Sequence, residues 1–192
     1  MNVKEVQNDL MQRTKKGVTM FYVGSLYWFL MGILGLFDMH INLLGLIYLI
    51  GIGTLFPLGI LVSNLLKIDF IAKGNELSNF AGVIGGMQLF FAPILIIIYM
   101  EKIEWLPFFI AVLTGAHFLP FSVLYKSKGF IFQSMAVVLF SSIVGFVFMD
   151  YVYKILPFGL GIIYLITIIL LLNENKKLTL ELEGQLNKEM QI

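Results

Sequence analysis

The stretch LLGLIYLIGIGTLFPLGILVSNLL, Leu43–Leu66, runs for 24 residues without a charge and stops at Lys67. A helix of that length rises about 36 Å at ~1.5 Å per residue, enough to cross the ~30 Å hydrocarbon core of a bilayer. The run is continuously apolar and not alternating, so it does not read as a strand, and an open sheet cannot satisfy its edges in lipid. Five more runs of the same kind surround it: Val18–Phe37, Val83–Met100, Leu106–Leu124, Phe130–Phe148 and Ile155–Leu172. The expectation is an all-α integral membrane bundle of six transmembrane helices.

Alternating crossings sort the positive charge. Lys4, Arg13, Lys15, Lys16, Lys67, Lys73, Lys126, Lys128, Lys176, Lys177 and Lys188 fall on one side, and only Lys102 and Lys154 on the other. Lysine and arginine are retained in the cytoplasm during insertion, so this asymmetry predicts that both termini are cytoplasmic. The chain then divides into a cytoplasmic amphipathic segment 1–17, a transmembrane domain 18–172 and a cytoplasmic tail 173–192. A hydrophobic fraction of 59% in 192 residues supports the membrane assignment. The absence of cysteine excludes disulfides, thiolate metal sites and cysteine nucleophiles. No basic run is long enough to suggest nucleic acid. The first 16 residues are polar and no cleavage pattern follows the first apolar run, so that run is expected to stay as an anchor and not to act as a cleaved signal.

The external connections are short and carry Asp38, Glu101, Glu104 and Asp150; the only long loop, Lys67 to Gly82, is cytoplasmic. Asn75 and Ser78 are placed to cap a helix entering the third span. Val3, Val6 and Leu10 form one stripe of a short helix suited to the inner leaflet. Leu178, Leu182 and Leu186 recur every four residues in the tail. Gly184 and the lack of sustained heptads favour a frayed, solvated segment over a coiled coil.

His117 is the one ionisable side chain well inside a span, and such groups are costly enough to be functional candidates. Gln88, Gln133 and Asn64 lie at comparable depths, so a cytoplasm-facing polar pocket of His117, Gln88, Gln133 and Asn64 is allowed. The competing reading has His117 bonded structurally to Thr114 or a neighbouring glutamine. Pro57, Pro93 and Pro120 each remove a backbone donor and free the carbonyl of Gly53, Leu89 or Ala116, marking candidate helix breaks. Pro107 and Pro157 fall near span starts, where proline fits. Gly82/Gly86, Gly59/Ser63, Ala111/Gly115 and Ser141/Gly145 are small pairs four apart that let helices approach, within one chain or between two copies. Lys67, Lys126 and Lys128 are candidate contacts for lipid headgroups, or simple topology determinants.

The protease motif His-Glu-x-x-His, the Gly-x-Ser-x-Gly elbow and the P-loop are all absent, and every Asp and Glu falls in a loop or terminus. The stretches Phe56–Ile60 through Leu65-Leu66-Lys67-Ile68-Asp69, and Gly115–Pro120 through Leu124-Tyr125-Lys126-Ser127-Lys128, with Asn75-Glu76-Leu77 and Gln88, resemble an uncharacterised, domain-of-unknown-function family of small multi-pass membrane proteins from Bacillus-like bacteria. The resemblance implies a bacterial cytoplasmic membrane and no assigned activity, cofactor or ligand. Three readings stand: a small binding, transport or channel-like module opening near His117; a structural or regulatory membrane protein acting through helix packing or its tail; and a lipid-modifying enzyme, which lacks a second catalytic group.

Overall fold

The computed structural model describes the backbone of residues 3–189 and side chains as far as Gly184. Among the described residues all regular structure is helical: α1 Val3–Thr14, α2 Val18–Leu34, α3 Ile41–Leu65, α4 Glu76–Gly86, α5 Ala92–Glu101, α6 Leu106–His117, α7 Leu119–Leu124, α8 Lys128–Val147 and α9 Val152–Glu189. Six helical stretches are long and apolar enough to cross a membrane, built from α1–α2, α3, α4–α5, α6–α7, α8 and α9. Each contains most of one of the six predicted runs.

Helix α2 packs most extensively on α9, and α6 and α8 complete the inner layer. The contacts explain the glycines. A methyl group at Gly24 or Gly32 would strike Tyr164 or Phe158 of α9, one at Gly161 would strike Phe29, and one at Gly145 would strike Phe108. Lipid tails are as apolar as leucine, so close backbone approach and van der Waals packing replace the hydrophobic drive. Trp28, 1% exposed, packs edge-on against Tyr27 and Tyr48 in this interior. Helices α3 and α5 lie outside the inner layer and turn most of their side chains outward.

Three of the four small pairs sit at helix contacts. Gly59 meets Met20 while Ser63 Oγ donates to Thr19 Oγ1 (2.8 Å), Gly115 meets Val137, and Gly145 meets Phe108. Gly82 and Gly86 do not: among the described residues nothing lies within 4 Å of a Cβ placed at either position. Their face of α4 is bare because the neighbouring helix crosses α4 on the side of Ile84, which is buried.

Proline placement departs from the sequence reading at two positions: α3 runs unbroken through Pro57, a candidate break, and Pro157 is not at a helix start. Pro157 is the sixth residue of α9 and lies inside the helix, not in its first turn. It leaves the Tyr153 carbonyl without its helical donor. Gly35, at the end of α2, packs directly on that carbonyl, and any Cβ there would overlap it.

Both ends of the chain also differ from expectation. The buried stripe of α1 is Gln7, Leu10, Met11 and Thr14; Val3 is 79% exposed. Helix α1 folds under the bundle against α4 and α9. The described part of the tail is helical: α9 is continuous for 38 residues, as far as Glu189. Leu178 is partly buried and Leu180 exposed. Leu186 lies outside the described side chains.

Candidate functional site

The third and fourth crossings break at the same depth, next to each other. Between α4 and α5 the chain tightens into a 3-10 stretch, Met87–Phe91, and between α6 and α7 it breaks at Phe118. The prolines account for both. Pro93 and Pro120 stand in the first turns of α5 and α7, where a missing N–H costs least. Pro57 is different: α3 runs through it, and it faces outward.

Three polar groups meet at the break pair: Thr114 and His117, which are buried, and Gln88, which is half-buried. Gln88 Nε2 donates to Thr114 Oγ1 (3.3 Å). His117 lies one turn beyond Thr114 and is 8% exposed. Its ring sits among Phe91, Phe118 and Phe121, at centroid distances of 6.5, 5.9 and 5.7 Å. The two groups expected to satisfy His117, Thr114 and a glutamine, bond to each other instead. The histidine makes no hydrogen bond of its own among the described residues. Among the described residues no charged side chain acts on it; burial alone does.

Gln133 and Asn64 do not join this group. Gln133 is fully buried between α8 and α9, where its Oε1 accepts from Thr167 Oγ1 (2.6 Å) and its Nε2 has no partner. Asn64 is exposed on the outer face of α3. Depth along a span is legible in sequence; rotation about the helix axis is not, and rotation separates these residues.

The lysines expected at headgroups have backbone roles as well. Lys67 and Lys126 take left-handed conformations (φ 55° and 44°) just past the ends of α3 and α7. In each case the following residue closes the helix: Ile68 N donates to Ser63 O and Ser127 N to Ser122 O, both 2.9 Å. These are Schellman ends with lysine where glycine is usual. Each lysine stands at the negative end of its helix's dipole, where a cation is favoured. Lys128 opens α8 and is exposed.

The most connected polar cluster on the basic face was not legible in the sequence. Lys16 Nζ donates to Glu174 Oε2 (2.8 Å), and Gly129 N donates to Glu174 Oε1 (3.0 Å). Asn175 Nδ2 donates to Lys15 O (2.9 Å). Lys15, Lys16 and Gly17 form a left-handed corner (φ 48°, 52° and 66°) that turns α1 under α2. Glu174 stands two residues beyond Leu172, the last of the apolar run. Burial pushes its carboxyl upward. Hydrogen bonds from Lys16, Ser127 and Gly129, with the Lys16 charge, outweigh that and hold it below the ordinary carboxylate range. Gln7 Nε2 donates to the carbonyls of Val123 (3.1 Å) and Leu124 (2.8 Å), and Arg13 Nε to Asp69 Oδ2 (2.8 Å). Asn75 caps α4 as expected, accepting from Leu77 N, and its Nδ2 donates to Val6 O. Open recesses lie at both ends of the bundle, one lined by Ile71–Glu76, Ser78 and Asn79 and one by Asn42, Tyr99, Met100, Glu101, Ile103 and Glu104; neither is lined by His117.

Six membrane-capable helices with buried polar groups between them define an integral membrane protein. Over residues 3–174 the chain matches the family of unknown function DUF7010, and it belongs to that family. No curated protein and no solved structure matches it.

Proposed function

We propose that the protein is a small membrane-embedded binding module whose site is the niche of His117, Gln88 and Thr114 between the two broken helices. The observation that carries this reading is an imidazole, 8% exposed and set among Phe91, Phe118 and Phe121, that has no hydrogen-bond partner among the described residues. Leaving a buried polar group unsatisfied costs about 1–3 kcal/mol. A leucine or phenylalanine would avoid that cost, and a ligand bonding to the ring would offset it. Adjacent helix breaks at one depth are also where membrane binding sites are commonly built. An enzymatic reading has less support, since no second titratable group stands at the histidine. The excess of Lys and Arg on one side supports a cytoplasmic basic face and cytoplasmic termini, and the family resemblance suggests a bacterial cytoplasmic membrane.

The test is stability, and its sign decides. His117→Phe removes the unsatisfied group and keeps an aromatic ring among Phe91, Phe118 and Phe121. The variant is expected to match or exceed wild type in thermal unfolding, by up to about 1–2 kcal/mol. A loss of about 2 kcal/mol or more would show that the histidine holds the bundle together, and the binding reading would fall.

A second reading, a structural or regulatory protein acting through its basic face, draws on the Lys16–Glu174 knot, which joins the first and last crossings to the start of α8.

A further inference from the structure

We propose that the niche takes its ligand sideways from the bilayer, and that the ligand is an uncharged, largely apolar molecule carrying a carbonyl or hydroxyl group. This deepens the reading of His117 as a binding site and rests on it.

The side chains in the niche set the ligand's polar end. A neutral imidazole offers one N–H donor and one acceptor, and the Gln88–Thr114 pair beside it is neutral as well. No Lys, Arg, Asp or Glu acts on the ring. A charged ligand would therefore be buried without a counter-ion, at a cost of several kcal/mol. A carbonyl can accept from the imidazole N–H, and a hydroxyl can also donate to the free ring nitrogen. Either would satisfy the group the fold leaves open.

The walls set the rest of the molecule. Phe91, Phe118 and Phe121 surround the ring and provide apolar contact only. The seven residues from His117 to Leu124 put the niche about 10 Å below the basic end of the fourth crossing. At that depth the surroundings are acyl chains and not headgroups.

Packing sets the direction of entry. On the basic-face side, Ile84 and Leu124 are each 4% exposed, and Gln7 of α1 ties down the Val123 and Leu124 carbonyls below them. On the outer side the covering is thin. Leu89 and Phe90, next to Gln88 and Phe91, are 78% and 79% exposed, and Ala116 and Pro120, flanking His117, face outward too. A molecule dissolved among the lipid tails is already beside the niche.

The test uses the full-length protein in phosphatidylcholine nanodiscs, with ring-¹⁵N histidine and His40→Gln to leave one signal. Two probes are compared: a long-chain methyl ketone dissolved in the bilayer, and acetamide added to the water. The expected result is a His117 ring resonance that moves and saturates with the ketone's mole fraction, a response lost in His117→Phe by construction and weakened in Thr114→Val, and no movement with acetamide. A response to acetamide alone would overturn lateral entry and an apolar ligand while leaving a binding site in place. A response to neither would overturn this inference, and the stability of His117→Phe then decides the binding reading separately.

Discussion

Separating Lys16 from Glu174 should loosen the whole basic face. The Lys16 side chain is 6% exposed and that of Glu174 21%. Breaking a buried pair by removing one partner typically costs about 3–5 kcal/mol, because the other charge is left stranded. Glu174→Gln keeps an acceptor for Gly129 N–H but strands the more buried ammonium, so a loss of about 3 kcal/mol is expected. Lys16→Met leaves the more exposed carboxylate, which water and Gly129 partly satisfy, and should cost about 2 kcal/mol. The double variant strands neither charge and should be no worse than Lys16→Met alone, giving a coupling of about 3 kcal/mol or more. The assay is mixed-micelle denaturation followed by tryptophan emission, since Trp28 is buried at the core. The pH dependence follows from a carboxyl whose folded value lies below its unfolded one. Its stabilisation is complete above the ordinary carboxylate range and is lost as pH falls through the folded value, so wild type should weaken in acid more steeply than Glu174→Gln. Single variants within about 0.5 kcal/mol of wild type, the range of surface pairs, would refute the reasoning.

Gly35→Ala drives a methyl group into the Tyr153 carbonyl, a backbone atom that cannot rotate away, and should cost about 2–3 kcal/mol in the same denaturation; a neutral result would mean α2 and α9 do not meet as described. Gly86→Leu meets open space and should leave the monomer's stability unchanged, while a change in detergent-solubilised size would reveal that a second copy covers that face. Cysteines at Asn42 or Asp150 should react with an impermeant thiol reagent in intact cells, and one at exposed Lys126 only after lysis. External reaction at Lys126 would reverse the orientation. Ser127 is a poor reporter, being buried as the cap of α8.

The crossings were legible because twenty uncharged residues can do little else in water or lipid. Part of the site was legible too: His117 stood out as an ionisable group in an apolar run, and Gln88 by its depth. The partnership between Gln88 and Thr114, which leaves His117 open, depends on how two helices rotate against each other, and a single sequence carries no record of that. The basic-face knot is harder still. Lys16 and Glu174 lie 158 residues apart, each inside a charged segment that topology alone explains. Left-handed lysines at positions 15, 16, 67 and 126 had no signal, because such positions are normally found by their glycines. Pro157 was misplaced because a 3-10 turn, Met149–Tyr151, precedes α9 and starts the helix earlier than the apolar run does.

The length of α9 makes it a lever. Its 38 residues rise about 57 Å, and the part beyond Leu172 accounts for some 25 Å of that. A membrane helix tilts to match the thickness of the hydrocarbon around it. If α9 moves as a rigid rod, a tilt of 10° carries its far end about 4 Å across the basic face. The fulcrum lies where the rod leaves the apolar run, at Glu174 and Asn175, the two residues that hold the corner between α1 and α2. Thinning or thickening of the bilayer thus bears on the same few bonds as a pull on the tip.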